Sequence, residues 1–278
     1  MKTTVIHHSA DFDGLFCREI ARKSLPDAEL IGWDFKDAPL AVPDGQIYIL
    51  DLPVDRVFGF DFNKSQDLAN QLTEDLKKIV IWIDHHASSI ASHPTDISGY
   101  RIDGVAACRL AWQWFNHDIA NKVMSDMAYL PVKEQYVRRE VSEPLAVRLA
   151  GEYDVWTKGP DGELLPNLAE FQLGLRSRKL LDVDWVEMLS GSTYTVNALL
   201  DRGRILQSYQ QGVDASTMGK SFLVDFAGLK FLALNTARCN SLTFSSADLP
   251  NKGHKALMGF WFNGSKWTVS MYHSKHHT

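Results

Sequence analysis

The chain alternates brief apolar runs with longer stretches in which apolar residues recur at helical spacing. Thr3 to His8 (TTVIHH), Leu30 to Phe35, Gln46 to Leu50 (QIYIL) and Ile79 to Ile83 (IVIWI) are short and largely β-branched, as expected of strands buried on both faces. Between them, Phe12 to Leu25 puts Leu15, Phe16, Ile20, Ala21 and Leu25 at helical spacing and is closed by Pro26. Ser65 to Lys78 predicts a helix with a charged outer face, and Asp103 to Phe115 predicts another, with Ala107, Leu110, Ala111 and Trp114 at core spacing. Asn116 to Glu143 is polar and helical without a motif. Glu143 to Trp156 and Asn167 to Arg178 predict two more helices, separated by the turn cluster Thr157 to Gly162. Strand and helix in alternation imply an α/β fold, a mainly parallel sheet with helices on both faces.

From about Thr195 to Lys220 the pattern is one long polar helix, with Val196, Leu199, Leu200, Ile205, Leu206 and Tyr209 at helical spacing. Beyond it, Ser221 to Phe226, Leu229 to Leu234, Ala256 to Phe262 and Trp267 to Tyr272 predict four strands with Gly-containing turns. The expected division is an α/β domain over 1–190, a helical connector over 191–219 and a smaller α+β domain over 220–278.

The apolar runs of the first part share a peculiarity: each ends on Asp or His. TTVIHH ends on His7 and His8 and is followed by Asp11 and Asp13; QIYIL is followed by Asp51; IVIWI by Asp84-His85-His86; the helix from Glu143 delivers Asp154 in GEYDVW. In open α/β sheets, ligands bind in the crevice beyond the carboxyl ends of the strands. A simpler reading of IDHHAS is a helix N-terminus capped by Asp84 or Ser88. The recurrence in four distant segments favours a constellation. Asp11, Asp13, Asp51 and Asp154 would bring four negative charges together, each close pair repelling by about 4 kcal/mol at 4 Å and an effective dielectric of 20. Such a cluster takes up protons or binds cations. Two divalent ions would balance it, and carboxylate and imidazole ligands without thiolate point to Mn²⁺, with Mg²⁺ or Co²⁺ as the other candidates and Zn²⁺ less favoured.

HHSADFDG, ILD, IDHHAS and GEYDVW, in this order and rough spacing, resemble the four motifs of the DHH phosphoesterase superfamily, which includes oligoribonucleases, cyclic-dinucleotide phosphodiesterases, single-strand exonucleases and pyrophosphatases. The resemblance covers about the first 155 residues. It implies that 1–190 is a catalytic domain in which His7, Asp11 and Asp51 hold one metal and Asp13, Asp51, His85 and Asp154 a second. It also implies catalytic roles for His86, facing the substrate phosphate, and for Asp84, orienting its neighbours. The spacing H-x-x-x-D-x-D selects His7; strand alternation puts His8 on the opposite face, which leaves it a structural part. Arg176 is the candidate phosphate contact in its helix, and Trp156 the tryptophan best placed to stack on a base. Gly14 is expected to allow a tight turn beside the ligands. Family members acting on oligonucleotides carry a GGGH segment in the second domain. WTVSMYHSK resembles the strand before it, but no such segment follows, so either the recognition element is missing and the domain is truncated, or substrate binding is built differently. Gly253-His254 reads as a turn and His276-His277 as a tail.

Composition narrows the substrate. Lys and Arg number 29 against 34 Asp and Glu, a net charge of −5, and no basic stripe of the kind that tracks long nucleic acid is visible. The expected activity is therefore two-metal-dependent hydrolysis of phosphodiester bonds in short oligonucleotides or linear or cyclic dinucleotides. A pyrophosphatase or polyphosphatase, or a non-catalytic nucleotide-binding protein, is the alternative. No apolar run reaches the length of a membrane span, and the 3 cysteines (Cys17, Cys108, Cys239) are isolated, so a cytoplasmic protein with no membrane partner is expected, with a homo-oligomer left open.

Overall fold

The computed structural model describes residues 2–59, 79–92, 97–116, 141–178, 183–237, 239, 241–244, 253–254 and 256–273. The expected helix over Ser65 to Lys78, residues 117–140 of the segment from Asn116 to Glu143, and the His276-His277 tail lie outside them. The chain forms two compact units, Met1–Gly203 and Arg204–Thr278.

The first unit is built on four strands, β1 (Thr3–His8), β2 (Glu29–Trp33), β3 (Gln46–Leu50) and β4 (Val80–Ile83), all parallel and ordered β2-β1-β3-β4. Their side chains divide strictly between two cores. Val5, Leu50 and Ile83 join one; Ile6, Ile47, Ile49, Val80 and Trp82 join the other. Burial on both faces is why these runs are continuously apolar instead of alternating. The first core is covered by α1 (Phe12–Ser24), α4 (Ala107–Asn116), α5 (Leu145–Asp154), α6 (Leu168–Arg176) and α7 (Trp185–Leu189). Residues of α8 (Tyr194–Met218), Val196, Leu199 and Leu200, complete it. The second core is closed by α2 (Val54–Phe58) and by Trp33 and Ile97; α3 (Ala87–Ser92) follows the fourth strand.

Two features were not anticipated. Residues 98–102 run beside β4 as an extended flank: Trp82 N–H donates to the Ser98 carbonyl (2.8 Å), Asp84 N–H to that of Tyr100 (3.0 Å), and Ile102 N–H to that of Asp84 (3.2 Å). Helix α4 starts four residues later than its apolar spacing suggested, because its first amides are taken up from outside, as described below. Gly14 also differs from expectation. It makes no left-handed turn; a Cβ there would run into the carbonyl oxygen and Cβ of His8, so glycine lets α1 lie directly against the end of β1.

The second unit is a mixed sheet of β5 (Phe222–Phe226), β6 (Leu229–Asn235), β7 (Ala256–Phe262) and β8 (Trp267–His273), in that order, with β6 and β7 parallel and both outer pairs antiparallel. Leu232, Leu234 and Leu257 on one face bury against Met218 and against Phe244 of the short 3-10 turn Ser241–Phe244.

Candidate metal centre

In the first sheet the chain steps from β1 to β2 on one side and to β3 and β4 on the other. The crevice at the carboxyl ends of β1 and β3, where strand order reverses, is the position that receives ligands in open α/β sheets. Register brings the relevant residues there together. His7 pairs with Leu50, and Leu50 with Ile83, so the next residues along, His8 at the end of β1 and Asp51 and Asp84 just past β3 and β4, come level. Asp51 closes β3 in the left-handed region (φ 60°), its N–H donating to the Ile83 carbonyl (2.9 Å). A non-glycine residue held there is a local cost of the kind that collects at functional sites.

The carboxylates are placed by helix ends. Asp11 caps α1, one oxygen accepting the Gly14 N–H (3.0 Å). Asp13 accepts the Ala107 and Cys108 N–H groups (2.9 and 2.8 Å), the otherwise unpaired first amides of α4. Asp154 is the last residue of α5. His85 Nε2 sits among three of these acids, 3.5 Å from Asp13 Oδ2, 3.4 Å from Asp51 Oδ1 and 3.3 Å from Asp154 Oδ2. On the other side, His8 Nδ1 lies 2.9 Å from Asp11 Oδ2 and 3.4 Å from Asp51 Oδ2.

Asp51 is the hinge of the cluster. It is 1% exposed, and neither of its oxygens has a hydrogen-bond partner; both ring nitrogens of His8 are likewise buried without one, their short approaches to carboxylate lacking hydrogen-bond alignment. Buried polar atoms without a hydrogen bond are costly and rare in native folds, and in a cluster of acids and imidazoles a bound cation would satisfy them. Among the described residues three sets could each hold a cation: His8, Asp11 and Asp51; Asp13, His85 and Asp154; and Asp51, His85 and His86, with the ligand atoms of each set within 4.8 Å of one another.

The electrostatics point the same way. Burial pushes Asp13 well above the usual carboxylate range, and the charges of Asp51 and Asp154 push it further. Asp154 is raised to about 6, by burial first and then by Asp51. Burial would lower the two imidazoles, but neighbouring carboxylates outweigh it. Beside Asp11 and Asp51, His8 rises to about 10; beside Asp51, Asp13 and Asp154, His85 rises to about 9. Burial also works against the Asp51 charge, yet the His8 and His85 imidazoles hold it below the ordinary range. Without cations the cluster is thus balanced by protons. Burial raises the neighbouring Cys17 and Cys108 thiols well above their usual range, so they stay protonated and offer no thiolate.

Asp84, fully buried, accepts from the His85 and His86 N–H groups (2.8 and 3.3 Å) and lies 2.7 Å from His86 Nδ1; this contact is the main cause of a raised His86 pKa. The amides that Asp84 accepts precede α3 (Ala87–Ser92), so these bonds hold the His85-His86 pair and are not the helix cap that the sequence offered. A cleft of about 370 Å³ opens beside the acids, lined among others by Asp11, Asp13, Tyr153, Asp154, Gln172 and Arg176. The Arg176 guanidinium lies 5.9 Å from the centre of the Tyr153 ring, whose other ring contact is Trp156, stacked with centroids 5.6 Å apart.

One expected placement is corrected. The sequence spacing puts His7 with Asp11 and Asp51, but His8 is there. His7 shares the strand face of Val5, is turned back so that its Nδ1 lies 2.8 Å from the His8 carbonyl, and is driven by burial to a pKa of about 4. Asp11, Asp13, Asp51, His85 and Asp154 are brought together; His86 stands beside them, Asp84 behind it, and Arg176 across the cleft. Sequence reasoning missed Phe35, half-exposed with its ring edge-on to His8 (5.4 Å), and Gln172, buried in the cleft wall. For Phe35, an aromatic directly after a strand was the available signal.

No family model matches the sequence, and no curated protein matches it. Among solved structures the chain is similar to an uncharacterized protein from Helicobacter pylori G27 (TM-score 0.41, 11% identity, 99% of this chain and 86% of that one). It is also similar to the pGpG-specific phosphodiesterase PggH from Vibrio cholerae (0.44, 12%, 99% and 83%) and to exonuclease RecJ bound to manganese (0.42, 13%, 96% and 77%). Likenesses of this size assign neither activity nor metal.

Proposed function

We propose that the chain is a two-metal-dependent phosphoesterase of the DHH type that hydrolyses phosphodiester bonds in short oligonucleotides or in linear or cyclic dinucleotides. The observation that carries the reading is the buried, unpartnered Asp51 carboxylate with a possible cation set on either side of it. His8, Asp11 and Asp51 would hold one divalent ion; Asp13, Asp51, His85 and Asp154 the other, Asp51 serving both. Oxygen and imidazole donors without thiolate suit Mn²⁺. When bound, such ions lower the pKa of water and take up charge that develops on phosphoryl oxygens.

The protein's own groups do the positioning. Asp84 accepts from His86 Nδ1 and raises its pKa, so that in the imidazolium form Nε2 is free to donate to a phosphoryl or leaving oxygen. Arg176 supplies a guanidinium to the cleft for a phosphate, a strong charge-assisted contact. Helix α4 and the α1 cap hold Asp13 and Asp11 so that cation binding needs little rearrangement. Among the described residues, Arg176 and Arg178 bring the positive charge to this cleft, which supports a phosphodiester over the denser charge of pyrophosphate.

Incubation with Mn²⁺ and, separately, a dinucleotide, a cyclic dinucleotide and pyrophosphate, followed by resolution of the products, tests the reading. Hydrolysis of a phosphodiester is expected, falling on the order of 10³-fold in Asp51→Ala. Activity that persists in this variant, or with chelator present, overturns it.

A further inference from the structure

The face of the second sheet opposite Leu232, Leu234 and Leu257 is of a different kind. Register places Phe222, Val224 and Phe226 of β5, Phe231 and Ala233 of β6, Met258, Phe260 and Phe262 of β7, and Trp267, Val269 and Met271 of β8 on it together. None of the strand positions on this face is Asp, Glu, Lys or Arg, whereas the packed face carries Asp225 and Lys230 at paired positions. Among the described residues its centre is packed by its own periphery: the rings of Phe222 and Trp267 contact Phe260, and Phe226 contacts Phe231. The periphery itself stands in the open, from Phe222 at 46% to Trp267 at 60%. Scattered exposed apolar residues are ordinary, but a contiguous uncharged sheet face is not.

We infer that this face is the dimer interface of the protein, its occupant the same face of a second copy of this chain. Area supports that occupant. With Leu229, which pairs with Phe226, seven large apolar side chains stand about half exposed on this face and, at about 150–250 Å² for a whole aromatic, offer roughly 700 Å² per chain. A standard interface buries about 800 Å² per partner. Chemistry supports it too: a flat face without charge has no charged partner to select, and it matches itself under two-fold symmetry, the commonest arrangement of homo-oligomers. The inference does not depend on the proposed hydrolytic activity, since no residue of this face belongs to the cleft.

Sedimentation velocity of the full chain over a range of concentrations tests it. A dimer is expected, and Trp267→Glu with Met271→Glu should weaken it at least about a hundredfold, because two carboxylates would be buried against an apolar face. Thr268→Glu, an exposed change on the opposite face of the same strand, should leave it unchanged. Circular dichroism checks that the variants are folded; should the charged pair fail to fold, Val269→Thr with Met271→Gln should still weaken the dimer about tenfold. A wild-type chain that stays monomeric at all concentrations, or folded face variants that dimerise as tightly as wild type, overturns the inference.

Discussion

The two sheets solve the same problem in opposite ways. The parallel sheet of the first unit is buried on both faces and keeps its charge at one end, where Asp51, Asp84, His8 and His85 meet beyond the strand termini. The mixed sheet of the second unit buries one face and leaves the other apolar and uncharged. Buried carboxylates need counter-charge, which the His8 and His85 imidazoles supply when no cation is bound; exposed apolar surface is what a neighbouring surface covers. The proposed cations would answer the first of these needs and the proposed second copy the other.

The first half of that contrast is most exposed to test at β1. Mn²⁺ at about a hundred times its dissociation constant should stabilise the fold by about 2.7 kcal/mol, a shift of several degrees in melting temperature. His8→Ala should abolish most of that shift, while His7→Ala should lower the starting stability by about 1–3 kcal/mol and leave the shift in place. The reverse result would return the ligand role to His7. A smaller effect is expected at Asp84→Asn, which weakens the hold on His86: activity should fall about 10–100-fold with the Mn²⁺ shift retained. Smallest is Arg176→Ala, for which KM should rise about tenfold with kcat nearly unchanged, the pattern of a binding contact. A fall in kcat instead would move Arg176 into the chemistry.

Much of this contrast could be read from the chain alone, for definite reasons. Strands β1, β3 and β4 were legible because burial on both faces leaves an unbroken apolar run, and the acids beyond them because polar residues stop such runs abruptly. The choice between His7 and His8 was not legible, since spacing along the chain does not say which way the last strand residue turns. The start of α4 was hidden for another reason: its amides are satisfied by Asp13, a residue 94 positions away. The short helices α2, α3 and α7 are too brief to show periodicity, and residues 98–102 pair with β4 through backbone groups that any sequence supplies. In the second unit the strands were legible by length and turns, but their uncharged face emerges only when the register lines up all four.

Position 14 has a consequence for how this protein can change. Only a hydrogen atom fits between the first helix and the last residue of the first strand, and that helix carries Asp11 at its entrance and Asp13 within its first turn. Adding a single methyl group would prise the two elements apart and spread the acids in the same movement. Drift in the scaffold and drift in the chemistry are tied at this one atom, so neither can be tuned there without the other.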